Sequence, residues 1–415
     1  MKKVTAVLLG AGARGNIYAR YALERPEEFE IVAAAEPDAA RREAFAREFG
    51  LSPGQVFGSW EELLAEPRMA DAALICTMDR MHTAPALRAL ELGYHVLLEK
   101  PMAPTEEECR AIAGAAERAG RVLSVCHVLR YTPFYSAVKD CVDRGELGRV
   151  VAATQTENVG YWHQAHSFVR GNWGDTRAST PMILQKCCHD TDILTWLIGQ
   201  RCVRVSSYGA LTHFTAQNAP EGAPARCLDG CPHSGSCPYY APRFYLEHPK
   251  ARADGFCQML CAQATRENLL QALRTGPYGR CVYRCGNDAV DHQAVCMEFE
   301  DGAVATLMMC AFTEECNRTL HLMGTRAELW GDMERGRITV QPLGGQPRSV
   351  PVKAPKTQYA YNHSGGDYCL IRDFVRAVGE NDPRRSRSSA AQSLQSHLIC
   401  FAAEKARRGG VGCEL

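Results

Sequence analysis

The sequence has no surplus of either charge. Lys and Arg together number 47, as do Asp and Glu, so the formal net charge is zero. No basic tract or stripe is present, which argues against a nucleic-acid partner. No apolar run approaches the length needed to span a bilayer, so no membrane partner is expected. The apolar stretch Val4–Leu9 follows two lysines, but it enters a glycine-rich turn with no small-residue cleavage site after it. It is expected to be a buried first strand rather than an export signal, and the chain to be cytoplasmic. Internal repeats and low-complexity linkers are lacking as well. These absences leave a globular chain whose partners are small molecules held in a pocket.

What is present is a large core and many thiols. At 415 residues the chain exceeds one ordinary domain, so two are expected. Hydrophobic residues make up 46% and charged residues 23%, enough apolar surface for a substantial core. Of the 20 cysteines, several sit singly in apolar runs, such as Cys76, Cys126, Cys310 and Cys400, and read as small core residues. Without an export signal the thiols are expected to stay reduced.

Residues 1–128 alternate strand and helix patterns. Strands are expected at Val4–Leu9, Ile31–Ala35, Ala72–Thr77, His95–Leu98 and Val122–Val125. Helices lie between them, with Ser59 and Thr105 in N-cap positions. Repeated strand–helix units imply a doubly wound parallel sheet, covered on both faces. Residues 129–415 read as a second α/β domain with an open, mostly antiparallel sheet. Its strands are expected at Val150–Glu157, Val203–Leu211, Val295–Glu300, Ala303–Met309, Thr319–Met323 and Ile338–Gln341, with Asp301-Gly302 as a hairpin turn. Single helices are expected at Pro133–Arg144, Ile183–Leu197, Gly366–Val378 and Ser389–Arg407.

Gly10-Ala11-Gly12-Ala13-Arg14-Gly15 matches G-x-G-x-x-G, between the first strand and the first helix. The first glycine allows the tight turn, the second lets backbone approach a pyrophosphate, and the third lets helix pack on strand; the helix N-terminus then faces the anion. Glu36 ends the second strand, where a carboxylate accepts hydrogen bonds from ribose hydroxyls and repels a 2′-phosphate. NAD is therefore favoured over NADP, although Arg41 and Arg42 lie one helical turn further on.

At Glu99-Lys100-Pro101, directly after the strand His95–Leu98, the sequence resembles the Gfo/Idh/MocA oxidoreductases, the relatives of glucose–fructose oxidoreductase and inositol dehydrogenase. The resemblance extends over nearly the whole chain. It includes the glycine motif, Cys76-Thr77…His82, His127-Val128-Leu129-Arg130-Tyr131 and Lys186-Cys187-Cys188-His189-Asp190-Thr191-Asp192. It implies a Rossmann domain followed by an α/β domain whose open sheet mediates a homodimer or homotetramer. It also implies that Lys100 lies between nicotinamide and substrate, that His189 is the acid/base, and that Lys100–Pro101 is cis. Thr77, His82, Glu99 and His127 join Gly10–Gly15 and Glu36 as cofactor-site candidates. Arg130, Tyr161, His163, Gln185 and Lys186 are candidates for substrate contact.

The chemistry suits these types. Removing hydride from a carbinol needs a base for the hydroxyl proton, and histidine titrates near neutrality. A lysine ammonium stabilises developing alkoxide charge. One departure stands out: many members carry an aspartate four residues before the helix histidine, and here that position is Gln185. Lys186, expected on the same helical face as His189, is a candidate for the missing polar role.

Cys227, Cys231 and Cys237 form C-x3-C-x5-C in a Pro- and Gly-rich insertion at about 213–285. Three thiolates supply most of a structural zinc site, and Cys281 is the preferred fourth ligand over Cys285, Cys257, Cys261 or His233, because Tyr278-Gly279-Arg280-Cys281 turns into the sheet. Unligated thiols, a disulfide and an iron–sulfur cluster are the alternatives. The leading functional expectation is an NAD-dependent oxidoreductase acting on a secondary hydroxyl of a sugar or polyol. An NAD-dependent glycosidase, using transient C3 oxidation and elimination, and a non-catalytic NAD sensor are the competing ones.

Overall fold

The computed structural model describes residues 2–253, 255–261, 263–359 and 361–415. The first six strands run β1 (Val4–Leu9), β2 (Phe29–Ala35), β3 (Val56–Phe57), β4 (Ala72–Ile75), β5 (His95–Leu98) and β6 (Leu123–Val125). They form one parallel sheet in the order β3-β2-β1-β4-β5-β6, the doubly wound dinucleotide-binding order. Helices α1 (Ala13–Glu24), α2 (Ala39–Phe49), α3 (Trp60–Ala65), α4 (Thr83–Glu91) and α5 (Glu106–Ala119) connect them. The Ser59 and Thr105 caps form as expected, accepting from the backbone N–H of Glu62 and Glu108. The two-residue β3 has no sequence signal of its own; it pairs with Ala34 and Ala35 because the preceding turn lays it there.

In the second part, α6 (Pro133–Asp143) and β7 (Val150–Asn158) lead into the short turn α7 (Tyr161–His163). The expected single helix Ile183–Leu197 is instead two, α8 (Met182–Gln185) and α9 (Cys188–Ile198). The chain breaks at Lys186–Cys187, where Lys186 N–H closes α8 on Met182 O while Asp190 N–H opens α9 on Cys187 O. Next come β8 (Cys202–Ala210) and four helices in the insertion, α10 (Ala241–Glu247), α11 (Pro249–Ala253), α12 (Phe256–Leu260) and α13 (Arg266–Thr275). Strands β9 (His292–Phe299), β10 (Val304–Cys310), β11 (Asn317–Gly324), β12 (Ala327–Asp332), β13 (Arg337–Pro342) and β14 (Arg348–Ser349) follow. The chain closes with α14 (Gly366–Glu380), α15 (Ala390–Gly409) and β15 (Cys413–Glu414). The second sheet runs β14-β13-β12-β11-β7-β10-β9-β8-β15, antiparallel throughout except for the β7–β10 pair. Strand β12 escaped the sequence reading; its Ala327, Leu329 and Gly331 face inward in alternation.

Alternation along this sheet puts one face on α9 and α15 and leaves the other open. Val295, Met297, Ala305, Leu307, Leu320 and Leu329 are buried against those helices. Tyr208, Val304, Met308 and Trp330 point to the open face and are exposed. The closing helix α14 returns to the first sheet, where Tyr368, Ile371, Phe374 and Val375 pack with Leu8, Tyr18 and Phe29. Burial of apolar area at about 25 cal/mol/Å² is the main force joining the two parts there. Among the described residues, no helix is long and apolar enough to cross a membrane.

Candidate functional site

Strands β1 and β4 are paired neighbours, but the connections that leave their C-terminal ends run in opposite directions, to β2 and to β5, which makes this the switch point at which doubly wound sheets bind ligands. The glycine loop lies there. Gly10 has φ +96°, and a Cβ on it would stand 2.6 Å from Cys76 O. A Cβ on Gly15 would meet Gly10 O at 2.1 Å, whereas one on Gly12 would meet nothing within 4 Å. The loop is thus packed on the strand side and open at Gly12. No side chain caps α1, so its first-turn N–H groups remain available to an anion. Glu36 is buried at the end of β2; its carboxylate accepts from Ala11 N–H at 2.9 Å and Asp38 N–H at 3.0 Å and pairs with Arg41 at 2.9 Å. Arg42 is spent on the Glu36 and Pro37 carbonyls. An open glycine, an uncapped helix end and a carboxylate at the second strand fit a dinucleotide.

The side chain of Arg14 does not extend along the crevice as a cofactor-site group would. Its Nε donates to Glu99 Oε1 at 2.8 Å and its Nη2 to Asp367 Oδ1 at 2.6 Å, joining α1, the end of β5 and α14. Burial works against a charged Glu99, but Arg14 and Lys100 outweigh it and hold the carboxyl below its ordinary range. His82, buried behind the crevice, stands 2.7 Å from Pro101 O and 3.1 Å from Thr77 O, so it ties the loop after β4 to the loop after β5.

The Lys100–Pro101 bond is cis, as expected. The backbone N–H of Lys100 donates to Glu99 Oε2, and its Nζ donates to Gln185 O at 2.8 Å. His189 lies in the first turn of α9, 6% exposed, with no hydrogen-bond partner at Nδ1. Burial, then Lys100 and His127, push its pKa well below 6.5, so the imidazole is neutral and able to accept a proton. His127 is fully buried behind it, with ring centroids 5.7 Å apart, and its Nε2 is 3.9 Å from Asp192 Oδ1.

Beside this pair is a cavity of about 430 Å³ lined by Trp162, His163, Lys186, Phe256, Arg318 and His363, among others. Two aromatic faces among hydrogen-bond donors suit a sugar ring. The helix break moves Lys186 off the face of α9 that carries His189, correcting the expected alignment. Lys186 instead pairs with Glu157 at 3.5 Å, and Arg318 pairs with Glu157 at 2.5 Å and with Asp190 at 2.8 Å. Burial opposes the charge on Lys186, but Glu157 outweighs it and keeps the amine protonated. Buried pairs like these are stable only as a set, since losing one member strands its partner.

Two expected substrate contacts do not reach the cavity. Arg130 is 2% exposed, and both Nε and Nη2 grip Asp192, at 2.6 and 2.7 Å. Tyr161 turns toward Tyr239 of the insertion, and its neighbours Trp162 and His163 line the cavity instead. The sequence reading missed Glu157, Arg318 and His363. One signal was legible: Gln155 and Glu157 occupy inward slots of β7 that a plain core strand would fill with apolar residues.

The zinc expectation is not supported. Cys227, Cys231, Cys237 and Cys281 line one small cavity of about 20 Å³. Among the described residues, however, no group of three or more His, Cys, Asp or Glu is placed to hold a metal ion, and all the cysteines are free. The physical reason is that the insertion has a core of its own. Trp162, Phe244, Tyr245, Phe256, Leu269, Leu273 and Tyr278 pack together, and Arg243 bonds the carbonyls of Ser234, Gly235 and Cys237.

Residues 4–127 match an oxidoreductase family described as NAD-binding Rossmann fold, and residues 139–413 match the same family's C-terminal alpha/beta domain. YteT, a Bacillus subtilis (strain 168) protein named as an oxidoreductase, is 22% identical over 336 residues, 76% of this chain and 74% of that protein. The scyllo-inositol 2-dehydrogenase (NAD(+)) of the same organism is 26% identical over 216 residues, 50% of this chain and 58% of that enzyme. A levoglucosan dehydrogenase solved with NADH and levoglucosan superposes with a TM-score of 0.72 at 18% identity, covering 99% of both chains.

Proposed function

The chain belongs to the Gfo/Idh/MocA oxidoreductase family, and we propose that it is an NAD-dependent dehydrogenase oxidising a secondary hydroxyl of a sugar, polyol or sugar derivative. The observation that carries this reading is a neutral, buried His189 under the charge of Lys100, its ring centroid 6.4 Å from that of His363 on the wall of a donor-rich aromatic cavity. The inositol and levoglucosan dehydrogenases among its relatives support the substrate class.

Bound NAD would supply a hydride acceptor at the nicotinamide. The protein does the rest. First-turn N–H groups of α1 and the open side of Gly12 would hold its pyrophosphate, and Glu36 would receive its ribose. The Lys100 ammonium polarises the reacting oxygen and stabilises alkoxide character as it develops. His189 accepts the hydroxyl proton. Lys186, kept charged by Glu157, donates to a second oxygen of the ring, and Trp162 and Phe256 cover the ring's apolar face.

We further infer that the open face of the second sheet is where copies of this chain associate. Tyr208, Val304, Met308 and Trp330 stand exposed on it, four large apolar side chains on one unpartnered sheet face.

The test is a screen of purified protein with NAD against free sugars, polyols and nitrophenyl glycosides, followed by NADH fluorescence. Net NADH with at least one free polyol or sugar is expected. Release of nitrophenol without net NADH would replace the dehydrogenase reading with the transient-oxidation glycosidase.

A further inference from the structure

The approach to α14 carries an unusual backbone. His363 and Ser364 have φ of 53° and 52°, a region that residues other than glycine seldom adopt, and Gly365 follows at 88°. Such a turn persists only where its surroundings over-determine it. Here they do. A Cβ on Gly365 would stand 2.6 Å from the Pro355 ring, and one on Gly366 would stand 2.9 Å from the Thr132 side chain. The turn is therefore pressed against the chain that leaves the first sheet.

What the turn presents is the His363 ring. Its Nδ1 lies 3.3 Å from Oδ2 of the fully buried Asp367, whose other oxygen accepts from Arg14 Nη2 at 2.6 Å. Burial works against a charged Asp367, but the charge of Arg14 and the hydrogen bonds from His363 and Arg14 hold its carboxyl well below the ordinary range. An ionised Asp367 fixes the proton on Nδ1, which turns the lone pair of Nε2 away from the carboxylate. Nε2 has no hydrogen-bond partner among the described residues. The ring lines the 430 Å³ cavity together with Lys186 and Arg318, and its centroid is 6.4 Å from that of His189. Lys186 and Arg318 are both donors, whereas a polyol hydroxyl also needs an acceptor; of the other oxygens on the wall, Asn317 Oδ1 accepts from Glu334 N–H and Glu334 pairs with Lys250 at 3.8 Å, which leaves the acceptors of His363 and its neighbours Asn362 and Ser364.

We propose that His363 is a substrate-binding residue, its Nε2 accepting a hydrogen bond from a ring hydroxyl next to the one His189 handles, with Asp367 and Arg14 as positioning residues. The inference rests on the polyol reading above. It also gives Arg14 a purpose that the glycine motif alone does not: the first turn of the cofactor helix and the far wall of the substrate cavity share one ion-pair network.

The experiment is calorimetry on NADH-loaded protein, with myo-inositol, levoglucosan and L-sorbose as the probes. His363→Asn is the main variant, because asparagine tolerates the left-handed backbone and removes the ring. Its sugar Kd should rise about tenfold, the worth of one good hydrogen bond, while its NADH Kd stays within about twofold. Asp367→Asn should weaken the sugar in the same direction. Ser364→Gly, which relaxes the turn and keeps the ring while removing one hydroxyl from the cavity wall, should weaken sugar binding by clearly less than His363→Asn does. An unaltered sugar Kd in His363→Asn, or an equal loss in Ser364→Gly, overturns this proposal alone. A wild-type protein that binds NADH but none of the three probes overturns the polyol reading and this proposal with it.

Discussion

The ammonium of Lys100 donates to the backbone carbonyl of Gln185 across 2.8 Å. Gln185 ends the four-residue helix α8, and the break at Lys186–Cys187 leaves that carbonyl without a helical partner. A main-chain oxygen therefore meets the lysine at the position where the family resemblance implies an aspartate side chain. The proposed acid/base pair, Lys100 and His189, has no such carboxylate at Gln185.

One prediction separates side chain from backbone at this contact. Lys100→Met and His189→Ala should each lower kcat/KM by about 10²–10⁴, the usual worth of an acid/base or charge-stabilising group. Gln185→Ala keeps the carbonyl and should change kcat/KM by less than about threefold. Steady-state NADH formation on the best substrate of the screen measures all three. A Gln185→Ala loss as large as that of Lys100→Met would mean that the amide side chain, not the carbonyl, matters.

Cofactor choice should hinge on Glu36. Its carboxylate is buried at the end of β2, with the glycine loop bonded to it through Ala11 N–H. Wild-type protein should bind NADH at least about tenfold more tightly than NADPH, because a 2′-phosphate would face an anion. Glu36→Ala should narrow that ratio by weakening NADH and strengthening NADPH. Fluorescence titration with both cofactors decides, and a wild type that prefers NADPH would refute the argument.

Stability should fall as the solution is acidified through the ordinary histidine range. Burial, the first cause in each case, lowers the pKa of His95 to about 4 and those of His166 and His397 to about 3. These groups are neutral when folded but protonate near 6.5 when unfolded, so the unfolded chain binds more protons below that pH. Their contribution is fully present above pH 6.5 and is lost as pH falls toward 3–4. Each should cost on the order of 1 kcal/mol by one unit below 6.5. Denaturant unfolding at pH 7.5 and 5.5 measures the difference, and equal stability at the two values would contradict it.

The insertion should depend on its aromatic core more than on its sulfurs. Phe244 stacks on Trp162 with centroids 5.9 Å apart and packs against Tyr245 and Phe256. Phe244→Ala should cost about 3–5 kcal/mol by leaving a cavity. Cys231→Ala, half-buried with no bond to another sulfur, should stay within about 1 kcal/mol. Thermal melts of the two variants, with and without chelator, compare them. A Cys231→Ala loss matching that of Phe244→Ala would show that the four sulfurs hold something after all.

The sequence alone determined the local parts. Alternating strand and helix patterns, the Ser59 and Thr105 caps and the Gly10–Gly15 spacing specify a doubly wound sheet with a dinucleotide crevice, because each signal acts over a few residues. The Glu99-Lys100-Pro101 and His189 motifs marked the proposed reacting groups through the family resemblance they carry. Only tertiary structure decided what surrounds them. Arg130 reads as a free cation in sequence, but a carboxylate 62 positions away takes its charge. Lys186 reads as a neighbour of His189 on one helix face until the helix breaks and Glu157, from another strand, claims it. His363 lies far down the chain from Arg14 and Lys186, with nothing local to mark it, and only α14 returning to the first sheet carries it to the cavity wall. Periodicity and motif spacing report what a residue's neighbours in sequence require; the pairing of buried charges is settled by long-range packing, which no window along the chain contains.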